Sequence, residues 1–137
     1  MLWLGRAGLL PFLFLPVAAF LAWLPGNWAA RAFLAYSLAI LCFLAGTLWG
    51  TARDLRGAHK ARRLLASNAF VLVAVGAVVL LPAAAAVAVL MLVHLLLAGY
   101  EQATAPSGWY LRMRWQLTTV AALCHLLYIP LAGWAPV

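Results

Sequence analysis

LLASNAFVLVAVGAVVLLPAAAAVAVLMLVHLLLAGY, residues 64–100, contains no Asp, Glu, Lys or Arg. At about 1.5 Å per helical residue, roughly 20 residues already cross a hydrocarbon core about 30 Å thick. The stretch is therefore too long for one crossing and too apolar for a soluble domain, and it predicts two membrane helices. Pro82, which cannot continue the hydrogen-bond ladder of a preceding helix, marks the hairpin between them.

The rest of the chain repeats this pattern. Of its 137 residues 69% are hydrophobic and 8% charged, and the mean hydropathy is +1.06, whereas soluble domains carry about 25% charged residues. The expected architecture is all-α: one transmembrane domain over residues 1–137, a polytopic bundle of five helices spanning about 7–24, 28–51, 64–81, 83–100 and 115–134. Pro25-Gly26-Asn27 separates the first two spans, and Pro16 is expected to kink the first. The N-terminal stretch reads as a retained helix rather than a signal peptide, because Pro11 and Pro16 interrupt its apolar core and its hydrophobicity continues through Trp23.

A net charge of +7 would suggest nucleic acid in a soluble protein. Here the cations flank apolar spans, so no nucleic-acid partner is expected. Arg53, Arg56, Lys60, Arg62, Arg63, Arg112, Arg114 and Arg6 fall on one side of a five-span arrangement, and Arg31 on the other. That bias puts the N-terminus in the cytoplasm and the C-terminus in the periplasm of a bacterial inner membrane. Trp3, Trp49, Trp109 and Trp115 then fall near one interface and Trp23, Trp28 and Trp134 near the other, where an indole is most stable.

His94 and His125 are the ionisable residues expected inside the hydrocarbon, and such residues are candidate functional groups. They are the candidate cofactor ligands, as axial ligands to haem or in a metal site with Cys42 and Cys124. Counted along separate helices, their depths differ by roughly 5 Å at 1.5 Å per residue, which disfavours a shared cofactor. The favoured role is interhelical hydrogen bonding, with no cofactor and no metal. Gly46 and Gly50 form a GxxxG beside Trp49, a pattern that permits close helix approach within the bundle or to a partner. The basic run RDLRGAHKARR, residues 53–63, could attract anionic headgroups, but topology alone accounts for it. Asp54 and Glu101 are the only acidic side chains and are expected to pair with Arg53, Arg112 or Arg114; nothing suggests a carboxylate pair for catalysis.

Three segments, LGRAGLLPF (4–12), YSLAILCFLAGTLWG (36–50) and WYLRMRWQLT (109–118), together resemble a bacterial family of small multi-span proteins, domain of unknown function 3429, related to mitochondrial transmembrane protein 69. The resemblance implies an inner-membrane bundle and supplies no reaction. Gly46, Trp49, Gly50, Trp109, Tyr110 and Arg114 match family-like positions and are the candidate packing or interaction residues. The function expected from all this is non-enzymatic: an accessory or assembly subunit of a larger inner-membrane complex, with lipids and a membrane-protein partner or second copy as neighbours. The alternatives are a binder or carrier of a lipid or quinone, with His94 or His125 as polar anchor, and a haem-binding redox protein.

Overall fold

The computed structural model describes residues 6–104 and 108–133 and is all-α over them. The helices are α1 (Leu10–Phe20), α2 (Gly26–Ala52), α3 (Gly57–Leu80), α4 (Ala83–Thr104) and α5 (Trp109–Gly133). Helices α2 to α5 are each long and apolar enough to cross a membrane; α1 is not. Its 11 residues extend about 16 Å, half of a hydrocarbon core.

Local sequence explains why α1 is shorter than the expected 7–24 span. Pro11 lies in its first turn, where a missing N–H costs nothing. At the other end Trp23 N–H bonds Ala18 O at 2.9 Å and Ala22 N–H bonds Ala19 O at 3.2 Å, closing the helix in a Schellman motif. Ala22 holds the left-handed position at φ 54°, where glycine is usual. Hydropathy runs on through Trp23, but the helix has already stopped.

Helices α2 to α5 form an antiparallel set, and α1 packs in the gap between α2 and α5. The Tyr36 hydroxyl donates to Gly8 O at 2.7 Å. Tyr36 stands 10 residues after Gly26 and 16 before Ala52, so the start of α1 lies deep along α2. Arg6, two residues earlier, is exposed. Arg63 and Arg114, also counted as flanking cations, are buried inside the bundle. Arg53, Arg56, Lys60, Arg62 and Arg112 remain exposed at what we call the basic end.

Helix α3 begins at Gly57 and α5 at Trp109, both earlier than the expected Leu64 and Trp115. Charged residues end the hydrophobic pattern without ending the helix. The core is built from Phe12 and Leu15 of α1, Phe33, Leu34 and Leu41 of α2, Val87 and Leu90 of α4, and Tyr128 of α5. Phe33 and Tyr128 stack at 4.3 Å between ring centroids, 3° from parallel. Outward faces carry Phe43, Leu72, Val79, Leu80, Leu96 and Leu127 in the open, as lipid contact requires. Trp23, Trp28, Trp49 and Trp109 are exposed near helix ends, while Trp3 and Trp134 lie outside the described residues.

Candidate functional site

The two intramembrane histidines meet. Their ring centroids are 5.5 Å apart, and both Nε2 atoms face the Ser37 hydroxyl of α2, at 3.3 Å from His94 and 2.7 Å from His125. Counting residues along each helix misses this convergence because side chains tilt toward their own helix N-terminus. Helices α4 and α5 run in opposite directions, so His94 and His125 lean toward each other. Phe12 and Phe33 pack on the His125 ring at 5.4 and 4.9 Å.

The bonding fixes the proton positions. His125 Nδ1 lies 2.7 Å from Ala121 O, and a carbonyl only accepts, so Nδ1 carries the hydrogen. In the neutral ring Nε2 is then the acceptor, and the Ser37 hydroxyl donates to it. Ser37 Oγ in turn accepts from His94 Nε2, which makes His94 Nδ1 an acceptor. The chain of bonds ends on the Ala121 carbonyl, so it anchors the rings rather than passing a proton across the bundle.

A second buried cluster lies toward the basic end. Arg114 Nε donates to Glu101 Oε2 at 2.7 Å, and Arg114 Nη1 donates to Thr118 Oγ1. On the other carboxylate oxygen, Oε1, Thr47 and Tyr110 hydroxyls approach to 3.2 and 3.4 Å. All but 3% of Arg114 and of Glu101 is removed from solvent. Yet Arg114 Nη2 is buried without a hydrogen-bond partner among the described residues.

Arg114 and Thr118 share a cavity of about 180 Å³ with His94, walled by Gly8, Leu9, Phe12, Ile40, Phe43, Leu44, Leu117 and Ala121. It lies where α1 begins, between α2 and α5, with α4 behind it. The short first helix leaves this space beside two spanning helices. The wall is almost wholly apolar, and the groups able to bond a guest are His94, Arg114 and Thr118.

The candidate residues therefore divide. His94, His125, Tyr110 and Arg114 belong to the buried polar centre. Trp109 is exposed and meets Tyr110 edge-on at 6.4 Å. Gly46, Trp49 and Gly50 are exposed on a different face of α2, and a Cβ added at either glycine would meet nothing within 4 Å. Within one chain, then, the GxxxG is not a packing seam. Cys42 is half-buried and Cys124 buried, both free, and no group of three or more His, Cys, Asp or Glu residues is gathered among the described residues. Nothing in the residue pattern marks Ser37 or Thr118 as site residues; a lone hydroxyl in an apolar span is commonly satisfied by its own helix.

The four long apolar helices and their buried polar centre mark a polytopic α-helical membrane protein. The family model described as "Protein of unknown function (DUF3429)" matches residues 1–130, and the chain belongs to that family. No curated protein and no solved structure matches the chain.

Proposed function

We propose that the protein is a non-enzymatic, membrane-embedded binder of a hydrophobic molecule whose polar head enters the cavity at His94, Arg114 and Thr118. The observation that carries this reading is Arg114, whose side chain lines an otherwise apolar cavity and whose Nη2 is a buried donor without a partner among the described residues. Leaving such a donor unmet costs about 1–3 kcal/mol. Water meets the need poorly, because filling about 180 Å³ with it sets most of the water against carbon.

The chemistry of the walls narrows the head group. Glu101 already neutralises Arg114, so a second anion would be buried without compensation. A neutral head with an acceptor oxygen for Arg114 and a hydroxyl for the His94 Nδ1 acceptor satisfies both. The volume slightly exceeds that of the roughly 150 Å³ engineered cavity that binds benzene, so one six-membered ring fits. Among the lipid and quinone alternatives, the reduced quinone, a quinol, is favoured: one hydroxyl oxygen accepts from Arg114 and another hydroxyl donates to His94 Nδ1, which a quinone carbonyl cannot do. Haem fits least: both histidine Nε2 atoms are engaged on one serine hydroxyl and His125 Nδ1 on Ala121 O, which leaves His94 Nδ1 as the one ring nitrogen of the pair with a free lone pair, too few for two axial histidine ligands. Mass spectrometry of organic extracts after native purification, followed by titration of a short-chain quinol, tests the proposal. Saturable binding that is lost in Arg114→Met with an intact fold supports it; no binding in the wild type contradicts it.

A second reading, an accessory or assembly subunit, draws on the open Gly46/Gly50 face beside exposed Trp49. Co-purification of a membrane protein or second copy that disappears in Gly46→Ile tests it. In either role the exposed cations of the basic end favour a cytoplasmic position in a bacterial inner membrane, with the C-terminus periplasmic. In place of five full spans, α2 to α5 cross and α1 reaches halfway, its start directed toward the cytoplasmic end.

A further inference from the structure

A second buried arginine lies at the basic end, outside the cavity described above. Arg63 of α3 is 8% exposed. Its Nη2 donates to Thr104 Oγ1 of α4 at 3.2 Å, and the Thr104 hydroxyl is itself committed to Tyr100 O at 2.7 Å. Arg63 Nε is buried with no partner among the described residues. The chain has two acidic side chains in all: Glu101 is paired with Arg114, and Asp54 is exposed in the α2–α3 turn and forms no ion pair among the described residues. A buried cation without a counter-charge is costly, and among the described residues no carboxylate lies within ion-pair distance of Arg63.

Arg63 opens on a pocket of about 350 Å³ lined by Leu55, His59, Arg62, Arg63, Tyr100 and Thr104. Two guanidinium groups and an imidazole share this space, and no acid does. The Nε edge of a guanidinium, taken with a neighbouring Nη, matches two oxygens of one phosphate group. We propose that this pocket binds a phosphate group, carried by an anionic phospholipid of the leaflet at the basic end. The lipid is favoured over a soluble source because the pocket sits where the charged turn meets the apolar spans. Exposed Leu65, Leu72 and Val73 of α3, within about 15 Å of Arg63 along the helix, offer a surface to acyl chains. The site is independent of the ligand cavity around Arg114.

The test uses the full-length protein in nanodiscs of phosphatidylcholine with and without phosphatidylglycerol. Retained lipid is read by native mass spectrometry and stability by melting temperature. Wild type should retain phosphatidylglycerol and melt higher in its presence. Arg63→Gln should weaken retention about tenfold or more, the scale of a lost charge-assisted hydrogen bond, whereas Arg53→Gln on the exposed turn should not. Arg63→Lys, which keeps the charge without the Nε edge, should fall between, and it serves where Arg63→Gln fails to fold. Retention that falls equally in Arg53→Gln and Arg63→Gln, or in neither, would overturn the proposal. Inorganic phosphate alone provides the remaining arm. Stabilisation by it, abolished in Arg63→Gln and without a phosphatidylglycerol response, would keep the phosphate site and overturn its assignment to lipid.

Discussion

Arg114 and Arg63 are both buried near the basic end, and both leave one guanidinium nitrogen unmet. They differ in what surrounds the charge. Arg114 holds Glu101 at 2.7 Å, with Thr118 on Nη1, so its charge is settled within the chain and its free nitrogen calls for a neutral acceptor. Arg63 holds one threonine hydroxyl, so its charge is unsettled and calls for an anion from outside. Two arginines that look alike in sequence thus imply two kinds of guest.

The largest effect should come from breaking the settled pair. Glu101→Ala strands Arg114 in the core and should cost about 3–5 kcal/mol of stability, whereas Glu101→Leu combined with Arg114→Leu should recover most of that loss. Unfolding of the reconstituted variants checks both. If Glu101→Ala behaves like a substitution at exposed Arg112, the pair is not the internal counter-charge we describe.

The next effect has the opposite sign. In neutral lipid Arg63→Met removes a charge with no partner and should leave stability unchanged or raise it by about 1–2 kcal/mol, as apolar replacement of buried ions often does. Clear destabilisation there would show that Thr104 already compensates Arg63 and would erase the contrast.

Smaller losses are expected at Ser37. Ser37→Ala removes the bridge to both histidines and should cost about 1 kcal/mol, since hydrogen bonds between membrane helices average about 0.6 and reach at most about 1.7 kcal/mol. It should leave phosphatidylglycerol retention intact while weakening quinol binding through a loosened His94. A change in lipid retention would mean that the two sites are coupled.

The smallest effect should be at Gly46. Gly46→Ala meets open space and should shift stability by less than about 1 kcal/mol, with either sign. A large loss would place a second chain against this face.

The fold was legible to the extent that hydropathy reports it. Pro82 and Pro25-Gly26 separated elements where expected, because a proline without an N–H interrupts a helix regardless of tertiary context. Charge was a poorer guide. His59 to Arg63 are helical despite ending the apolar pattern, and the Ala22 turn ends α1 inside a hydrophobic run. His94 and His125 stood out as ionisable groups in apolar spans, but their meeting depended on side-chain direction, which residue counting ignores. Arg63 and Arg114 were harder still, since a count of flanking cations does not separate a solvated arginine from a buried one.

The most direct test measures melting temperature for wild type, Arg63→Met and Arg114→Met in phosphatidylcholine nanodiscs, with and without phosphatidylglycerol. The contrast between the two arginines predicts that phosphatidylglycerol stabilises wild type and Arg114→Met but no longer stabilises Arg63→Met. It also predicts that Arg114→Met is the less stable variant in both lipids, because it leaves Glu101 buried and unpaired. A lipid response lost in Arg114→Met and kept in Arg63→Met would contradict this account of both sites.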